Sequence, residues 1–137
     1  MSYNLTTAVT NIQTMVQTIA AEIKAAPVGP PEAINQFPFS LVYIKSFETL
    51  GGTKNWDECI DTIVMEIHLT RQNLPTAYKA ALPYRIQIHE KLIADPRIGD
   101  SVDTFTDFRG TFGYMEYAGV GTMGWQMELD VKGKITI

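Results

Sequence analysis

Residues 59–75 read CIDTIVMEIHLTRQNLP, and this stretch decides the fold. From residue 62 to 70, apolar side chains at odd positions alternate with mostly polar side chains at even positions. A period of two predicts a β-strand with one face in the core. After it, Asn73 is predicted to cap a helix that has Pro75 in its first turn. A strand with one polar face favours an antiparallel or mixed sheet over a parallel sheet that is covered on both sides.

Length and composition predict a single globular domain over residues 1–137. The chain is 45% hydrophobic and 19% charged, values that argue against disorder. Its apolar runs are too short for a membrane span, and no secretion signal is predicted. The net charge of −4 comes from scattered side chains, which argues against a nucleic-acid-binding protein. Cys59 is the single cysteine, so an internal disulfide and a cysteine-rich zinc site are excluded.

The first helix is predicted over residues 5–23, where apolar positions recur every three or four residues. Ser2 or Asn4 is expected to cap its start, and Pro27 to end it. Its outer face carries threonine and glutamine instead of charged side chains, which favours a neutral solvated face over a subunit contact. A proline-rich connector is expected to follow at residues 25–36.

Two strands are predicted to form a long β-hairpin that is closed by residues 46–58. The first runs from Phe37 to Ile44, with Pro38 at an edge or at the start of the strand. Residues 46–58 join it to the strand over residues 59–70, and Gly51-Gly52 is expected to form a mobile tip.

The second half of the chain is predicted to hold a helix and two strands. Pro83 is expected to kink the helix that follows Pro75 or to restart it as a further helix. Val102 to Tyr117 is the third strand, with Gly110 and Gly113 marking a bulge or bend. Met123 to Lys132 alternates strictly and is the last strand. The predicted fold class is α+β: an antiparallel or mixed four-stranded sheet with two to three helices packed on one face.

The sequence shows no motif in the structural context that catalysis, metal binding or cofactor binding requires. Glu66 and His68 are the one histidine–carboxylate pair predicted to share a strand face, and His89 lies beside Glu90 on a helix. The sequence contains no HExxH and no GxSxG. Residues 119–124 match GxGxxG, but they lie in a predicted turn that leads into a strand and not into a helix, so they do not predict a dinucleotide-binding loop. A protein that is not an enzyme, with no cofactor and no metal, is therefore expected. The alternative is a metal-assisted or ligand-binding enzyme that uses Glu66 and His68 on an open sheet face.

Aromatic residues and methionines near loops and strand ends predict a protein interface, because such side chains often lie at the centre of interfaces. Trp125 is expected in the core, whereas Trp56 either folds back on the sheet edge or is presented to a partner. The interface candidates are Gly51, Gly52, Lys54, Trp56, Tyr114, Met115, Tyr117 and Gly119.

The order of five segments resembles the tail terminator proteins of long-tailed bacteriophages, the lambda-type minor tail protein U-like group. Together these segments span nearly the whole chain, and the resemblance lies in their order and spacing. They are Phe37-Pro38-Phe39 leading to Tyr43; residues 62–68 with the exit through Arg71 to Leu74-Pro75; residues 92–96; residues 99–103; and Gly119-Val120 to Gly124-Trp125 with Val131-Lys132.

This resemblance implies a virion protein, assembled in the host cytoplasm, that forms a hexameric ring at the head-proximal end of the tail tube. The ring would stop tube polymerisation and offer a surface to the head-completion or neck protein. The implied partners are copies of the chain, the tail tube protein and the neck protein, with DNA only passing through the lumen and no membrane. The family has no catalytic residues to carry over. The near alternative is another neck, connector or tail-completion subunit.

Overall fold

Two helices and five strands make up the described part of the chain. The computed structural model describes residues 3–19, 23–25, 38–53, 55–70, 75–117 and 119–136. In chain order the elements are α1 (Leu5–Ile19), β1 (Lys24–Ala25), β2 (Phe39–Thr53), β3 (Trp56–Thr70), α2 (Pro75–Ala94), β4 (Thr104–Tyr117) and β5 (Val120–Thr136). Neither helix is long and apolar enough, over the residues described, to cross a membrane.

The strands form one sheet in the order β1-β2-β3-β5-β4. The four long strands are antiparallel, and β2–β3 and β4–β5 are consecutive hairpins. The two-residue β1 pairs in parallel with the start of β2, where Lys24 is opposite Phe39. The predicted α+β fold, with four antiparallel strands and two helices, is confirmed.

The core lies between the helices and the face of the sheet that carries the odd-numbered residues of β3 and β5. Both helices contribute to this one cluster, so both lie on the same face of the sheet, as predicted. Trp125 packs against the cluster, and its Nε1–H donates to the carbonyl oxygen of Ala81 at 2.9 Å. Its predicted core position is therefore confirmed. The main buried side chains are Ala8, Val9, Ile12 and Val16 of α1; Ile63, Met65 and Ile67 of β3; Ala81, Tyr84, Ile88 and Leu92 of α2; and Met127, Leu129 and Val131 of β5.

The first helix begins as predicted and ends earlier than predicted. Asn4 caps it, because its Oδ1 accepts the Thr7 backbone N–H at 3.0 Å. The described helix ends at Ile19, and Ile23 is a buried residue outside it, so the predicted end at residue 23 is wrong. On the outer face Thr10 donates its hydroxyl to the carbonyl oxygen of Thr6 at 2.9 Å. Ser2, Pro27 and most of the predicted connector lie outside the described residues.

The second helix starts at Pro75, as predicted, whereas Asn73 lies outside the described residues. It continues through Pro83 as one helix, so the predicted restart is wrong. Proline removes one helical hydrogen bond. Ala81 and Tyr84, on either side of Pro83, are anchored in the core, and this packing holds the two halves of the helix together.

The hairpin of β2 and β3 is longer than its predicted strands. Segment 46–58 was predicted as the connecting loop, but β2 continues to Thr53 and β3 begins at Trp56. Gly51 and Gly52 therefore lie inside β2 and not at a mobile tip. The reason is a β-bulge between Thr49 and Gly51, in which Gly51 has a φ of 79° that favours glycine.

The second hairpin also corrects the sequence prediction. Gly110 and Gly113 keep the regular register with β5, and the irregularity lies instead between Phe105 and Asp107. The predicted bulge at the two glycines is therefore wrong. The last strand, β5, extends beyond the predicted 123–132 at both ends and forms the long seam with β3.

Candidate functional site

The predicted interface residues lie in two hairpins whose tips are at opposite ends of the sheet. Gly51, Gly52 and Trp56 belong to the β2–β3 hairpin, and Lys54 lies outside the described residues. The other candidates, Tyr114, Met115, Tyr117 and Gly119, belong to the β4–β5 hairpin. Because β3 and β5 pair from Trp56↔Thr136 to Thr70↔Met123, the two tips are roughly 45–50 Å apart. The structure therefore gives two separate surfaces and not one.

The first surface is a three-stranded extension that we call the arm: residues 46–53 of β2, 56–61 of β3 and 131–136 of β5. Tyr3 covers its base, where its hydroxyl donates to Asp61 at 2.5 Å. Beyond Tyr3, on the helix side of the arm, Phe47 is 76% exposed and Ile135 is 52% exposed. Leu50, the extra residue of the bulge, is exposed as well. The sequence analysis missed Phe47 and Leu50 because residues 46–58 are predicted to be a connection, and it missed Ile135 because the last strand is predicted to end at Lys132.

Trp56 is packed on the arm and is not presented freely to solvent. Its ring lies against Gly52, where an added Cβ would be 2.8 Å from the ring. On another side, Lys134 Nζ lies 4.5 Å from the ring centroid, in a cation–π contact. Of the two predicted alternatives, the structure supports folding back onto the sheet.

The second surface is the tip of the β4–β5 hairpin. Tyr114 is 68% exposed, and its ring lies over Gly121, where an added Cβ would be 2.8 Å from the ring. Met115 is half-buried, and Gly119 turns the chain with a φ of 79°. Tyr117 ends β4, and its side chain lies outside the described residues. Tyr114 is thus the main exposed aromatic side chain described at this end.

A third surface, the helix stripe, consists of Tyr78, Leu82, Ile86 and Ile93 on α2. All four side chains are exposed, and their spacing places them on one side of the helix. The Tyr78 ring meets the edge of Phe112 of β4 at 5.0 Å between centroids, so the stripe adjoins the β4 side of the sheet. Sequence reasoning missed it because α2 has apolar residues on all sides, and the pattern alone does not tell which side is covered.

A buried polar network lies on the sheet face opposite the helices. Tyr43 of β2 donates its hydroxyl to Oε2 of Glu66. His68 Nε2 is 2.8 Å from the other carboxylate oxygen, and His68 Nδ1 is 2.5 Å from Oγ1 of Thr122 of β5. His68 has no exposed surface and Glu66 is also buried. The expectation that Glu66 and His68 lie on an open sheet face is therefore wrong.

The protonation of this network follows from its hydrogen bonds. Burial acts to raise the pKa of Glu66, but hydrogen bonds from His68 and Tyr43 outweigh it and hold the pKa below its usual value. Burial and the bond to Glu66 raise the pKa of the Tyr43 hydroxyl. Since an ionised Glu66 can only accept, His68 carries a proton on Nε2.

This arrangement places a hydroxyl, an imidazole and a carboxylate in the order used by some hydrolases. Thr122 is buried, however, so a substrate cannot reach its hydroxyl in this conformation. Among the described residues no three histidine, cysteine or acidic side chains are grouped to hold a metal. His89 packs against the ring of Phe108 at 5.7 Å. What the network does in this structure is tie β2, β3 and β5 together.

An exposed charge cluster continues across the same face towards β4. Arg109 contacts Asp107 at 2.7 Å, Glu128 at 2.8 Å and Asp130 at 3.0 Å, and Lys45 pairs with Glu128 at 2.9 Å. Hydrogen bonds from Lys45 and Arg109 lower the pKa of Glu128. Two basic and three acidic side chains nearly neutralise one another, so the cluster has a small negative excess.

The sequence comparisons do not place the chain in a known family. No model of a protein family matches it, and no curated protein matches it in sequence.

Proposed function

We propose that this chain is a structural subunit that caps the head-proximal end of a phage tail tube as a hexameric ring. In this role it stops tube polymerisation and forms the surface to which the head is joined. The observation that carries the proposal is the pair of hairpin tips, which lie at opposite ends of one sheet and differ in their exposed side chains.

A terminator must contact two different neighbours along the tube axis. The tip of the arm carries Leu50 at one end of the sheet, and Tyr114 marks the other end. If the strands run roughly along the tube axis, one end meets the last tube ring and the other meets the neck. Because the two ends differ chemically, the outer end does not offer a tube subunit the surface that the inner end binds, and polymerisation stops.

Ring closure requires lateral contacts as well. A head-to-tail contact repeated by rotation uses two different patches on each subunit. The helix stripe adjoins β4, whereas Phe47 and Ile135 lie on the helix side of the arm, so the chain has two different apolar surfaces for such a contact. The net charge of −4 and the acidic excess of the charge cluster are compatible with a lumen through which DNA passes without binding.

Purified tail tubes provide the test. We expect the protein to bind tube ends and not tube walls, to halt elongation when added to growing tubes, and to show by light scattering a ring of six 15.3 kDa subunits. Replacing the exposed Tyr114 with Ser should weaken the binding of the ring to its neighbour at that end. Gln87→Ala, an exposed position on α2, is the matched control and should behave as wild type.

A monomer at every concentration and salt that ignores tubes would contradict the proposal. Binding along the tube wall, or elongation that continues past the bound protein, would contradict termination. A ring that binds the neck protein but not tube ends would point instead to a connector subunit.

A further inference from the structure

We propose that the arm of one subunit docks across the helix stripe of the next subunit, so that these two surfaces form the lateral contact of the ring. The proposal rests on the ring assembly proposed above and names the surfaces that build it. The occupant of the helix stripe is thus a second copy of the same chain.

Both surfaces are apolar and uncovered in the single chain. On the arm, Phe47 is the most exposed of the large apolar side chains described, and Ile135 lies on the same side of the sheet. On α2, Ile93 is 63% exposed, and Tyr78, Leu82 and Ile86 extend the surface along the helix. When two such surfaces pack together, apolar area is removed from water, and the hydrophobic effect favours their association.

The charges around the two surfaces are opposite in sign. The arm as defined carries four acidic side chains and two lysines: Glu48, Asp57, Glu58, Asp61, Lys132 and Lys134. Lys132 is already paired with Glu58 at 2.8 Å, and Lys134 lies over the Trp56 ring.

Helix α2, in contrast, carries three basic side chains and one acidic side chain: Lys79, Arg85, Lys91 and Glu90. All four are exposed. An arm with an acidic excess and a helix with a basic excess are complementary, and such complementarity selects partner and orientation at an interface.

The two surfaces differ from each other, so their contact is heterologous. Each subunit would offer its arm to one neighbour and its helix stripe to the other, and repetition of this contact closes into a ring or extends as a filament. A contact between two identical arms would instead produce a closed dimer. This difference makes the proposal testable by charge exchange.

Two double variants provide the experiment. The arm variant is Glu48→Lys with Asp57→Lys, and the helix variant is Lys79→Glu with Arg85→Glu. Each variant alone places like charges at the contact, and we expect its self-association in sedimentation velocity to weaken at least about tenfold relative to wild type. Mixing the two variants in equal amounts restores opposite charges at every contact, so the mixture should assemble as alternating subunits.

The controls separate folding from association. All four substituted side chains lie at least partly in solvent, so circular dichroism and thermal melting should match those of wild type. Thr10→Lys adds a charge to the outer face of α1 and should leave assembly unchanged, whereas Phe47→Ser should weaken it without any change of charge.

Three outcomes would overturn the proposal: a wild-type protein that stays monomeric, double variants that assemble like wild type, or a mixture that remains dissociated. Failure here is distinct from failure of the proposed function. Rings rescued by mixing that ignore tail tubes would leave this contact standing and remove the terminator role. If the protein caps tube ends but mixing the two variants fails to restore assembly, the terminator role stands and the proposed contact is wrong.

Discussion

The two halves of β2 differ sharply although they belong to one continuous strand. From Ser40 to Val42 every residue is buried, whereas from Ile44 to Gly52 every residue is exposed. The first half lies between the helix-side core and the polar network, and the second half forms part of the arm. The difference indicates that the buried half supplies the stability of the fold. The arm presents apolar side chains that the single chain does not cover.

The largest loss of stability is expected from a substitution in the buried half of this strand. Leu41→Ala removes a fully buried side chain and should lower the free energy of unfolding by about 2–5 kcal/mol. Leu50→Ala makes the same chemical change at an exposed position of the same strand, and its effect should stay within about 0.5 kcal/mol. Urea unfolding of both variants measures the contrast. Equal losses would show that the arm is part of the cooperative core.

The next largest loss of stability is expected when a single tyrosine hydroxyl is removed from the buried polar network, and the exposed Tyr114 provides the comparison. Tyr43→Phe removes the donor to Glu66 and leaves a buried carboxylate oxygen without it, at an expected cost of about 1–3 kcal/mol. Tyr114→Phe removes a hydroxyl that is exposed and 3.5 Å from Glu116, so no measurable loss is expected. Thermal melts at pH 7 make the comparison. A Tyr43→Phe protein as stable as wild type would mean that the network adds nothing to stability.

A comparable loss is expected for the bulge that shapes the arm. Gly51→Ala places a side chain at a φ of 79°, which should cost about 1–2 kcal/mol. Gly113→Ala is the control, because Gly113 lies in a regular part of β4 and an added Cβ meets no atom within 4 Å. Its effect should remain near zero. Urea unfolding measures the loss if the arm unfolds together with the core. If the arm unfolds locally, the loss appears instead as faster amide hydrogen exchange in the arm of Gly51→Ala than in that of wild type.

The smallest expected effect is on the pH dependence of stability, through Glu66 of the buried polar network. The pKa of Glu66 in the folded chain lies below its ordinary value, so its contribution to stability is present above about pH 4.5 and is lost as pH falls through the lowered pKa. Glu66→Gln should therefore flatten the fall of stability between about pH 5 and pH 3, without abolishing the share of Glu128 and Asp130. Glu48→Gln, on the exposed arm, is the control and should leave the pH-dependent loss of stability that Glu66 causes unchanged. If the stability of Glu66→Gln falls with pH in parallel with that of wild type, the lowered pKa assigned to Glu66 is wrong.

The sequence predicted the sheet well because alternation is a local signal. The period of two over residues 62–70 and 123–132 identified β3 and β5, and consecutive hairpins followed from the short connections. The length of the arm could not be predicted in the same way. Gly51-Gly52 is typical of a turn, and the choice between a turn and a bulge depends on pairing with β3, which the local sequence does not encode.

Burial on the second sheet face was equally hard to predict. Alternation assigns Glu66 and His68 to the face away from the helices, but it does not say whether that face meets solvent. Leu41 and Val64 lie on the same face and are buried, so an apolar residue within a polar alternation was the available signal. For α2, an apolar composition on all sides concealed which side remains uncovered, and the helix stripe was visible only once the fold was known.

Hydrogen–deuterium exchange of β2 tests the central claim most directly, because it compares the two halves of one strand in the same sample. In the dissociated protein we expect amides of residues 46–53 to exchange faster than those of residues 40–43. On assembly, through concentration or on tail-tube ends, exchange of residues 46–53 should slow markedly while residues 40–43 stay unchanged. If residues 46–53 exchange at the same rate in assembled and dissociated protein, the arm is not an assembly surface and the account is wrong.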